Sequence, residues 1–283
     1  MNTNERKWLI PPYPSASESL KDEKGIWNIV HQNYSKHIYS LTEDPQICEN
    51  LINPSNQSPD FKIPNSPDIQ IVIPGCGSEI RLQKSLLTLC PQIGQVYCTD
   101  FSETAIELAQ NNWQETNGDT RLKNQQLIFQ VADSTKLTEE YPDWKEKFDY
   151  VLVVNSVLSA EDDKNRQMIG EFYKVLKPGG RLYGFFPTIF CDLEIAYLIQ
   201  SKAHWLTDGQ LDLARSARSD GMWSQIYYTP LRLNRIFKEV GFKRLSFEVV
   251  FDDSDIATAN LKEILEVDDP DIYNWEFLVR LEK

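Results

Sequence analysis

Short apolar runs alternate with longer helix-forming stretches from about residue 69 to residue 186, and this alternation constrains the fold more than any other feature. It is typical of a parallel sheet whose crossover helices cover both faces. The pattern predicts helices near residues 79–90, 102–114 and 161–176. It predicts strands at residues 69–73, 95–99, 126–131, 148–154 and 181–186.

Two more strands are predicted near the end of the sequence, at residues 243–251 and 273–281, after a helix over residues 229–240. Thr229 and Pro230 suit the start of this helix, and Gly241 suits its end. The two strands are expected to pair antiparallel at the sheet edge. The predicted fold is therefore α/β, with a doubly wound, mostly parallel seven-stranded sheet and helices on both faces.

The chain divides into three regions on composition and periodicity. Residues 1–21, with the run PPYP and then SASES, predict a flexible arm. Residues 22–67 predict an N-terminal helical cap followed by a turn-rich linker. Residues 68–283 form the core, and residues 190–222 interrupt its alternation with helical, aromatic-bearing sequence that predicts an inserted helical lid.

Glycine and acidic residues follow the first three predicted strands, at the edge where an open α/β sheet binds ligands. Gly75, Cys76 and Gly77 follow the first strand, where glycine permits a sharp turn and a close approach of backbone to ligand. Asp100 ends the second strand and suits the hydroxyls of a ribose. Asp133 ends the third strand and suits the amino group of adenine. Each residue also suits a turn or a helix cap, but their common register favours a nucleoside site.

These segments resemble the successive motifs of class I S-adenosylmethionine-dependent methyltransferases. They are IVIPGCGSE, VYCTDFS, QVADST, FDYVLVVNSVL and VLKPGGRLY. The resemblance implies that the cofactor is S-adenosylmethionine. It also implies the residues that bind this cofactor, namely Gly75, Cys76, Gly77, Asp100, Phe101, Asp133, Ser134 and Asn155.

The resemblance further implies which part of the cofactor each residue meets. The glycines line the methionine part, Asp100 holds the ribose, and Asn155 lies where the methyl group faces the acceptor. Two positions depart from the family pattern, because Ile73 replaces a frequent acidic residue and Glu79 replaces a frequent third glycine. These departures leave open a non-catalytic cofactor-binding scaffold with the same fold. A nicotinamide-dependent oxidoreductase is a weaker alternative, since the turn GCGSEI lacks the third glycine of that fingerprint.

Aromatic and histidine side chains concentrate in residues 22–52 and 190–222, the two segments expected to cover the cofactor crevice. The candidates for substrate binding are Trp27, Tyr34, Trp205 and Trp223. The candidates for a general base are His31, His37 and His204. Positioning can supply most of the acceleration of a direct methyl displacement, and a base is needed only when the acceptor must lose a proton. The predicted function is methyl transfer to a small-molecule acceptor, with nitrogen slightly favoured over oxygen.

The net charge of −13 bears on partners, because an acidic surface repels a phosphate backbone. Nucleic acid is therefore not expected as a partner. No apolar run approaches the length of about 18 residues that a membrane span requires, so no membrane partner is expected. The 5 cysteines lack metal-binding spacing, so we expect no metal, reduced thiols and a cytoplasmic location. The sequence does not indicate the oligomeric state.

Overall fold

Ten strands and two sheets are present in the computed structural model, which describes residues 23–32, 42, 44–54, 59–116, 127–219, 224–252, 255, 259, 262 and 274–283. The strands are β1 (Ile71–Pro74), β2 (Val96–Asp100), β3 (Leu127–Val131), β4 (Phe148–Val154), β5 (Leu176–Pro187), β6 (Leu211–Asp212), β7 (Ala217–Ser219), β8 (Ser224–Ile226), β9 (Lys243–Asp252) and β10 (Asn274–Glu282).

The helices in the described part of the chain flank and connect these strands. They are α1 (Glu23–His31), α2 (Pro45–Ile52), α3 (Arg81–Leu89), α4 (Glu103–Thr116), α5 (Leu137–Glu140), α6 (Asp162–Val175), α7 (Ile189–Leu198), α8 (His204–Thr207) and α9 (Pro230–Val240). Three short 3₁₀ helices lie at Pro59–Phe61, Pro142–Trp144 and Gln200–Lys202. As predicted, α9 begins after the Thr229 cap with Pro230 in its first turn and ends at Gly241.

The large sheet has seven strands in the order β3-β2-β1-β4-β5-β10-β9. Strands β1 to β5 pair in parallel, whereas β10 pairs antiparallel with both β5 and β9. The predicted doubly wound, mostly parallel seven-stranded sheet is therefore confirmed. The direction of winding reverses between β1 and β4, and such a switch point opens a ligand crevice at the carboxyl ends of the strands.

Two hydrophobic cores lie on opposite faces of this sheet, because successive side chains of a strand point to opposite faces. On β4, Val151 and Val153 pack in one core with residues of α6 and α9. Tyr150 and Leu152 pack in the other core with residues of α2 and α3. Helices thus cover both faces, as the sequence predicted.

The segment between β5 and α9 folds as α7, α8 and a small antiparallel sheet of β6, β7 and β8. It carries its own apolar cluster, which includes Ile189, Ile195, Trp205 and Leu211. The sequence analysis predicted only helices for residues 190–222 and missed these strands. Each spans only two or three residues, which is too short for an alternating pattern to show.

Two negative observations apply to the described residues alone. None of their helices is long and apolar enough to cross a membrane. No group of three or more histidine, cysteine, aspartate or glutamate side chains among them is arranged to hold a metal ion. The predicted arm at residues 1–21 lies outside the described residues.

Candidate functional site

A cavity of about 400 Å³ opens at the carboxyl ends of β1, β2, β3 and β4. Its wall includes every residue that the sequence analysis proposed for cofactor binding, although they come from four separate segments. These residues are Gly75, Cys76, Gly77, Asp100, Phe101, Asp133, Ser134 and Asn155. The fold therefore brings the complete predicted set to one crevice at the switch point of the sheet.

The turn after β1 depends on its two glycines. Gly75 has φ of +63° and Gly77 has φ of +66°, in the left-handed region that side chains other than glycine rarely adopt. A Cβ on Gly75 would lie 2.3 Å from the Cβ of Ser156, so this position also lacks space for a side chain. The amide of Cys76 donates to the carbonyl of Thr99 at 2.8 Å, which fixes the turn against β2.

Asp100 is buried at the end of β2, with 4% of its surface exposed. One carboxylate oxygen accepts a hydrogen bond from the amide of Gly77 at 3.0 Å, and the other accepts one from the amide of Ser102 at 2.9 Å. Burial raises the pKa of Asp100 to about 6, against the lowering effect of these amides. Because a carboxylate oxygen has more than one acceptor site, each oxygen can still accept a ligand hydroxyl.

The cap of α4 is formed by Ser102, not by Asp100. The Ser102 hydroxyl accepts a hydrogen bond from the amide of Ala105 at 3.1 Å, which is the usual N-cap interaction. The sequence left two roles open for Asp100, a helix cap or a ribose ligand. Since Ser102 satisfies the helix start, the capping role does not account for the carboxylate of Asp100 at the cavity wall.

Asp133 combines a local structural role with its place at the cavity. One of its oxygens accepts from both the amide and the hydroxyl of Thr135, at 2.9 and 2.7 Å. The turn role weighed from the sequence is therefore present. Phe101 and Ser134 also line the cavity, so its wall includes an aromatic ring and a hydroxyl as well as this carboxylate.

Asn155 follows β4 with φ of +48°, a left-handed conformation that asparagine tolerates better than most residues. Its side-chain Nδ2 donates to Oε1 of Glu276 on β10 at 2.7 Å. The sequence analysis missed Glu276, which lies 121 residues further along the chain. The available signal was an acidic residue inside the apolar run YNWEFLVRL, on a strand otherwise expected to be buried.

Helix α1 covers one side of the cavity, where Trp27 and His31 line the wall. Nδ1 of His31 lies 3.3 Å from the hydroxyl of Ser78, and the rings of His31 and Trp27 are 5.6 Å apart. Burial lowers the pKa of His31 to about 4, so this histidine is neutral near pH 7 and a weak base.

Polar contacts attach α1 to the core on both rims of the cavity. On one rim, Glu23 accepts from Lys164 and from the hydroxyl of Ser159, each at 3.3 Å. On the other rim, Lys24 pairs with Glu103. The hydroxyl of Ser102 also donates to Oδ1 of Asn28 at 2.5 Å on this rim. The helix therefore spans the opening between α6 and α4.

Two of the remaining predicted residues, His204 and Trp205, are described and do not line the cavity. His204 is exposed on α8 with its Nδ1 2.8 Å from the carbonyl of Ser201. Trp205 is buried in the cluster of the β5–α9 segment, with the Arg218 guanidinium 4.0 Å from its ring centre. The structure thus gives both residues a local packing role and does not bring either to the cavity. Tyr34, His37 and Trp223 lie outside the described residues.

Comparisons with known proteins agree on a methyltransferase domain, whose family model matches residues 74–180. The chain is 27% identical over 189 residues to human tRNA N(3)-cytidine methyltransferase METTL2B, covering 63% of this chain and 47% of that protein. It is 29% identical over 140 residues to the demethylmenaquinone methyltransferase of Leptospira interrogans, covering 47% of this chain and 45% of that protein. The chain thus spans about half the length of these curated relatives.

Solved structures show the same fold at lower identity. A SAM-dependent methyltransferase from Methanosarcina mazei aligns with a TM-score of 0.53 at 16% identity, covering 77% of this chain and 93% of that chain. At this identity the likeness supports the fold and says nothing about the acceptor.

The relative that acts on tRNA overturns one expectation from the sequence. The net charge of −13 predicts that nucleic acid is not a partner. That exclusion was wrong, because a protein similar to this chain over 189 residues is a tRNA methyltransferase. Net charge sums the whole chain, whereas contact with phosphates depends on the local arrangement of cations.

Proposed function

We propose that this chain is a class I S-adenosylmethionine-dependent methyltransferase that binds S-adenosylmethionine in this cavity and transfers the methyl group to a nitrogen atom. One observation carries the proposal: the buried Asp100 carboxylate and the Gly75–Gly77 turn are joined by a direct hydrogen bond at the cavity wall. A nucleoside with a charged amino acid part requires both features, a carboxylate for its ribose and a backbone that it can approach closely.

The other lining residues fit the remaining parts of this cofactor. Asp133 and Ser134 have the acceptor and donor groups that an adenine edge needs, and Phe101 has an aromatic face for its ring. Ile73, where the family often has an acidic residue, lines the cavity with an apolar side chain. Glu79 also lines the cavity, 3.9 Å from Arg81, and is the carboxylate that we propose for the cofactor amino group.

Nitrogen is proposed as the acceptor because the histidine at the cavity is poorly suited to remove a proton. His31 is the histidine in the described lining, and its pKa of about 4 makes it a weak base. A hydroxyl must lose its proton to become a strong nucleophile, whereas a neutral nitrogen attacks with its lone pair. METTL2B, named for a nitrogen acceptor, supports the same choice.

When bound, S-adenosylmethionine supplies a methyl group activated on a sulfonium sulfur. The residues of this chain then have two tasks, to hold the acceptor in line and to exclude water. Asn155 and Leu158 line the wall on the β4 side, and Trp27 of α1 lies on the covering side. Positioning between these surfaces can supply a large part of the acceleration without a charged catalyst.

Calorimetric titration with S-adenosylmethionine and with S-adenosylhomocysteine tests cofactor binding. We expect micromolar affinity, about −8 kcal/mol, for the native protein. Asp100→Asn should weaken binding at least tenfold, or about 1.4 kcal/mol, because the amide offers a poorer acceptor to the ribose. The matched control is Asp192→Asn, since Asp192 is also buried with its pKa raised to about 6 but does not line the cavity. Absence of binding to the native protein, or binding of a nicotinamide dinucleotide in its place, would overturn the proposal.

A labelled-methyl assay tests the acceptor. The protein is incubated with S-adenosylmethionine carrying a radioactive methyl group and, separately, with total tRNA and with a panel of small amines, phenols and quinones. Label in an N-methyl nucleoside after nuclease digestion, or in an N-methylated amine, supports a nitrogen acceptor. Label in a methyl ether or on a quinone carbon contradicts it. A reaction without the protein serves as the blank.

A further inference from the structure

The contact between Asn155 and Glu276 leaves two buried atoms unsatisfied. Nδ2 of Asn155 donates to Oε1 of Glu276 at 2.7 Å. Within the described part of the chain, the other two polar atoms of the pair, Oδ1 of Asn155 and Oε2 of Glu276, are buried without a hydrogen-bond partner. Leaving buried polar atoms unpaired costs free energy, and two such atoms in one contacting pair call for a common explanation.

A proton on the carboxyl group provides that explanation. A carboxylate only accepts hydrogen bonds, so an ionised Glu276 cannot satisfy Oδ1 of Asn155. A neutral carboxylic acid has one O–H donor, and the complementary partner for this donor is an amide oxygen. With Oε2 protonated, Oε2–H donates to Oδ1 while Nδ2–H donates to Oε1, and both leftover atoms are paired at once.

The surroundings of Glu276 also oppose a negative charge. Glu276 is 3% exposed on β10, opposite Pro187 of β5 and Val250 of β9. Burial raises its pKa to about 8, with the Asn155 hydrogen bond acting against burial and the charges of Asp252 and Asp192 adding to it. The titratable and charged groups that face this region are Asp192 and Cys191 of α7, Asp252 of β9, Arg218 of β7, and Tyr227.

We propose that Glu276 keeps its proton at neutral pH and binds the Asn155 side-chain amide through two hydrogen bonds, which makes Glu276 a positioning residue for Asn155. Two hydrogen bonds fix the amide plane where one would let it rotate. Asn155 lies at the cavity wall on the β4 side, so its orientation sets which group faces the acceptor. This consequence for methyl transfer rests on the proposed function, whereas the protonated pair itself does not.

Carbon-13 NMR of the full chain, labelled at glutamate side-chain carboxyls, tests the proton directly. The Glu276 resonance is assigned by its absence from the spectrum of Glu276→Gln. We expect it to titrate near pH 8, whereas ordinary glutamates titrate near about pH 4.3. A Glu276 resonance that titrates in the ordinary range overturns the proposal. Neither cofactor nor acceptor is present, so this result is independent of the proposed function.

Thermal unfolding as a function of pH provides a second measurement. A folded-state pKa above the unfolded one contributes stability that is fully present below about pH 4.3, the unfolded pKa, and is lost as the pH rises through the folded pKa. The melting temperature of the native protein should therefore fall relative to that of Glu276→Gln as the pH rises from about 4.3 to about 8, and the difference should level off above about 8. A difference that stays constant with pH contradicts the proposal.

A third variant separates positioning from packing. Glutamine keeps one donor and one acceptor, so Glu276→Gln should retain the contact with Asn155, while Glu276→Leu removes it. Nitrogen-15 NMR of the Asn155 side-chain amide should show slow hydrogen exchange in the native and Gln proteins and at least tenfold faster exchange in the Leu protein. Equal exchange in the Gln and Leu variants, at unchanged fold, would show that Glu276 does not position Asn155.

Discussion

Two buried aspartates, Asp100 at the end of β2 and Asp192 on α7, have their pKa raised alike by burial but have different partners. Burial raises the pKa of both Asp100 and Asp192 to about 6. Asp100 accepts from two backbone amides, those of Gly77 and Ser102. Asp192 accepts from the guanidinium of Arg218 at 3.3 Å. The hydrogen bonds to Asp100 require only a backbone turn at the correct position. The hydrogen bond to Asp192 requires a particular side chain, that of Arg218, from another part of the chain.

This difference extends to the two halves of the cavity region. The cofactor half, built after β1, β2 and β3, is held by glycine turns, backbone amides and local caps. The β4–β5–β10 half is held by side-chain pairs, among them Asn155 with Glu276, whose members are 121 residues apart along the chain. A site that is held by backbone hydrogen bonds tolerates substitutions around it but not in the turn that supplies those bonds. Side-chain-built sites depend on each partner separately.

The largest effect is expected at the glycine turn, in a pair of variants with similar backbone strain. Gly75 has φ of +63° and Gly209, in the segment between β5 and α9, has φ of +72°. A left-handed alanine costs about 1–2 kcal/mol at either site. At Gly75 the new Cβ also meets Ser156 at 2.3 Å, whereas at Gly209 nothing lies within 4 Å. Gly75→Ala should therefore lower S-adenosylmethionine affinity by more than about 100-fold, or about 2.7 kcal/mol, and Gly209→Ala should leave it unchanged.

Calorimetry measures the cofactor affinity of the two glycine variants, and urea unfolding measures their free energies of unfolding. Circular dichroism must first establish that Gly75→Ala is folded at the titration temperature. If folded Gly75→Ala bound the cofactor as well as Gly209→Ala does, the turn would not be part of the cofactor site.

A smaller effect on cofactor affinity is expected from two tryptophans that the sequence analysis grouped together. Trp205 is buried beneath Arg218, so Trp205→Ala should cost about 3–5 kcal/mol of stability and leave cofactor affinity unchanged. Trp27 is half-buried at the cavity wall, so Trp27→Ala should cost little stability and weaken cofactor affinity about tenfold. Urea unfolding and calorimetry on both variants separate the two roles. If Trp205→Ala weakened cofactor affinity and Trp27→Ala cost stability instead, the segment that covers the cavity would be the one between β5 and α9.

The smallest effect is expected at two helix caps. Thr229 accepts from the amide of Arg232, as Ser102 accepts from the amide of Ala105. Replacing either cap by alanine should cost about 1 kcal/mol of stability. Ser102 also holds Asn28 of α1, so Ser102→Ala should raise the cofactor dissociation rate a few-fold, measured by stopped-flow fluorescence. The Thr229→Ala variant should not change that rate. Equal rates in the two variants would show that α1 does not retain the ligand.

The large sheet was largely predictable because its first four strands are apolar runs of four to seven residues bounded by turn residues. The main error in the large sheet was the start of β5, predicted at residue 181 and found at Leu176. The run KPGG indicated a helix end, but it does not break the pairing: Leu176 pairs with Phe148 of β4, and a bulge follows. Glycines at a bulge and glycines after a helix look alike in sequence.

In the candidate site, the sequence predicted mainly the residues of the half that is held by backbone turns and amides. Gly75, Gly77 and Asp100 stand in register with strand ends, so a sequence pattern locates them. Glu276 and the contacts of α1 with Lys164 and Glu103 arise from folding between distant segments, which no local pattern records. Charge illustrates the same limit, because the net value of −13 carries no information about where cations lie relative to an acceptor.

The two polar attachments of α1 have a consequence for the rate at which ligands enter and leave. The Lys24–Glu103 pair is exposed and the Lys164–Glu23 pair is partly exposed, with 39% and 30% of the two side chains accessible. Such pairs contribute about 0–1 kcal/mol each and weaken as salt is added. We therefore expect the residence time of a bound ligand to shorten with rising ionic strength. The ions of the surrounding medium then help to govern how often one ligand in the cavity is exchanged for another.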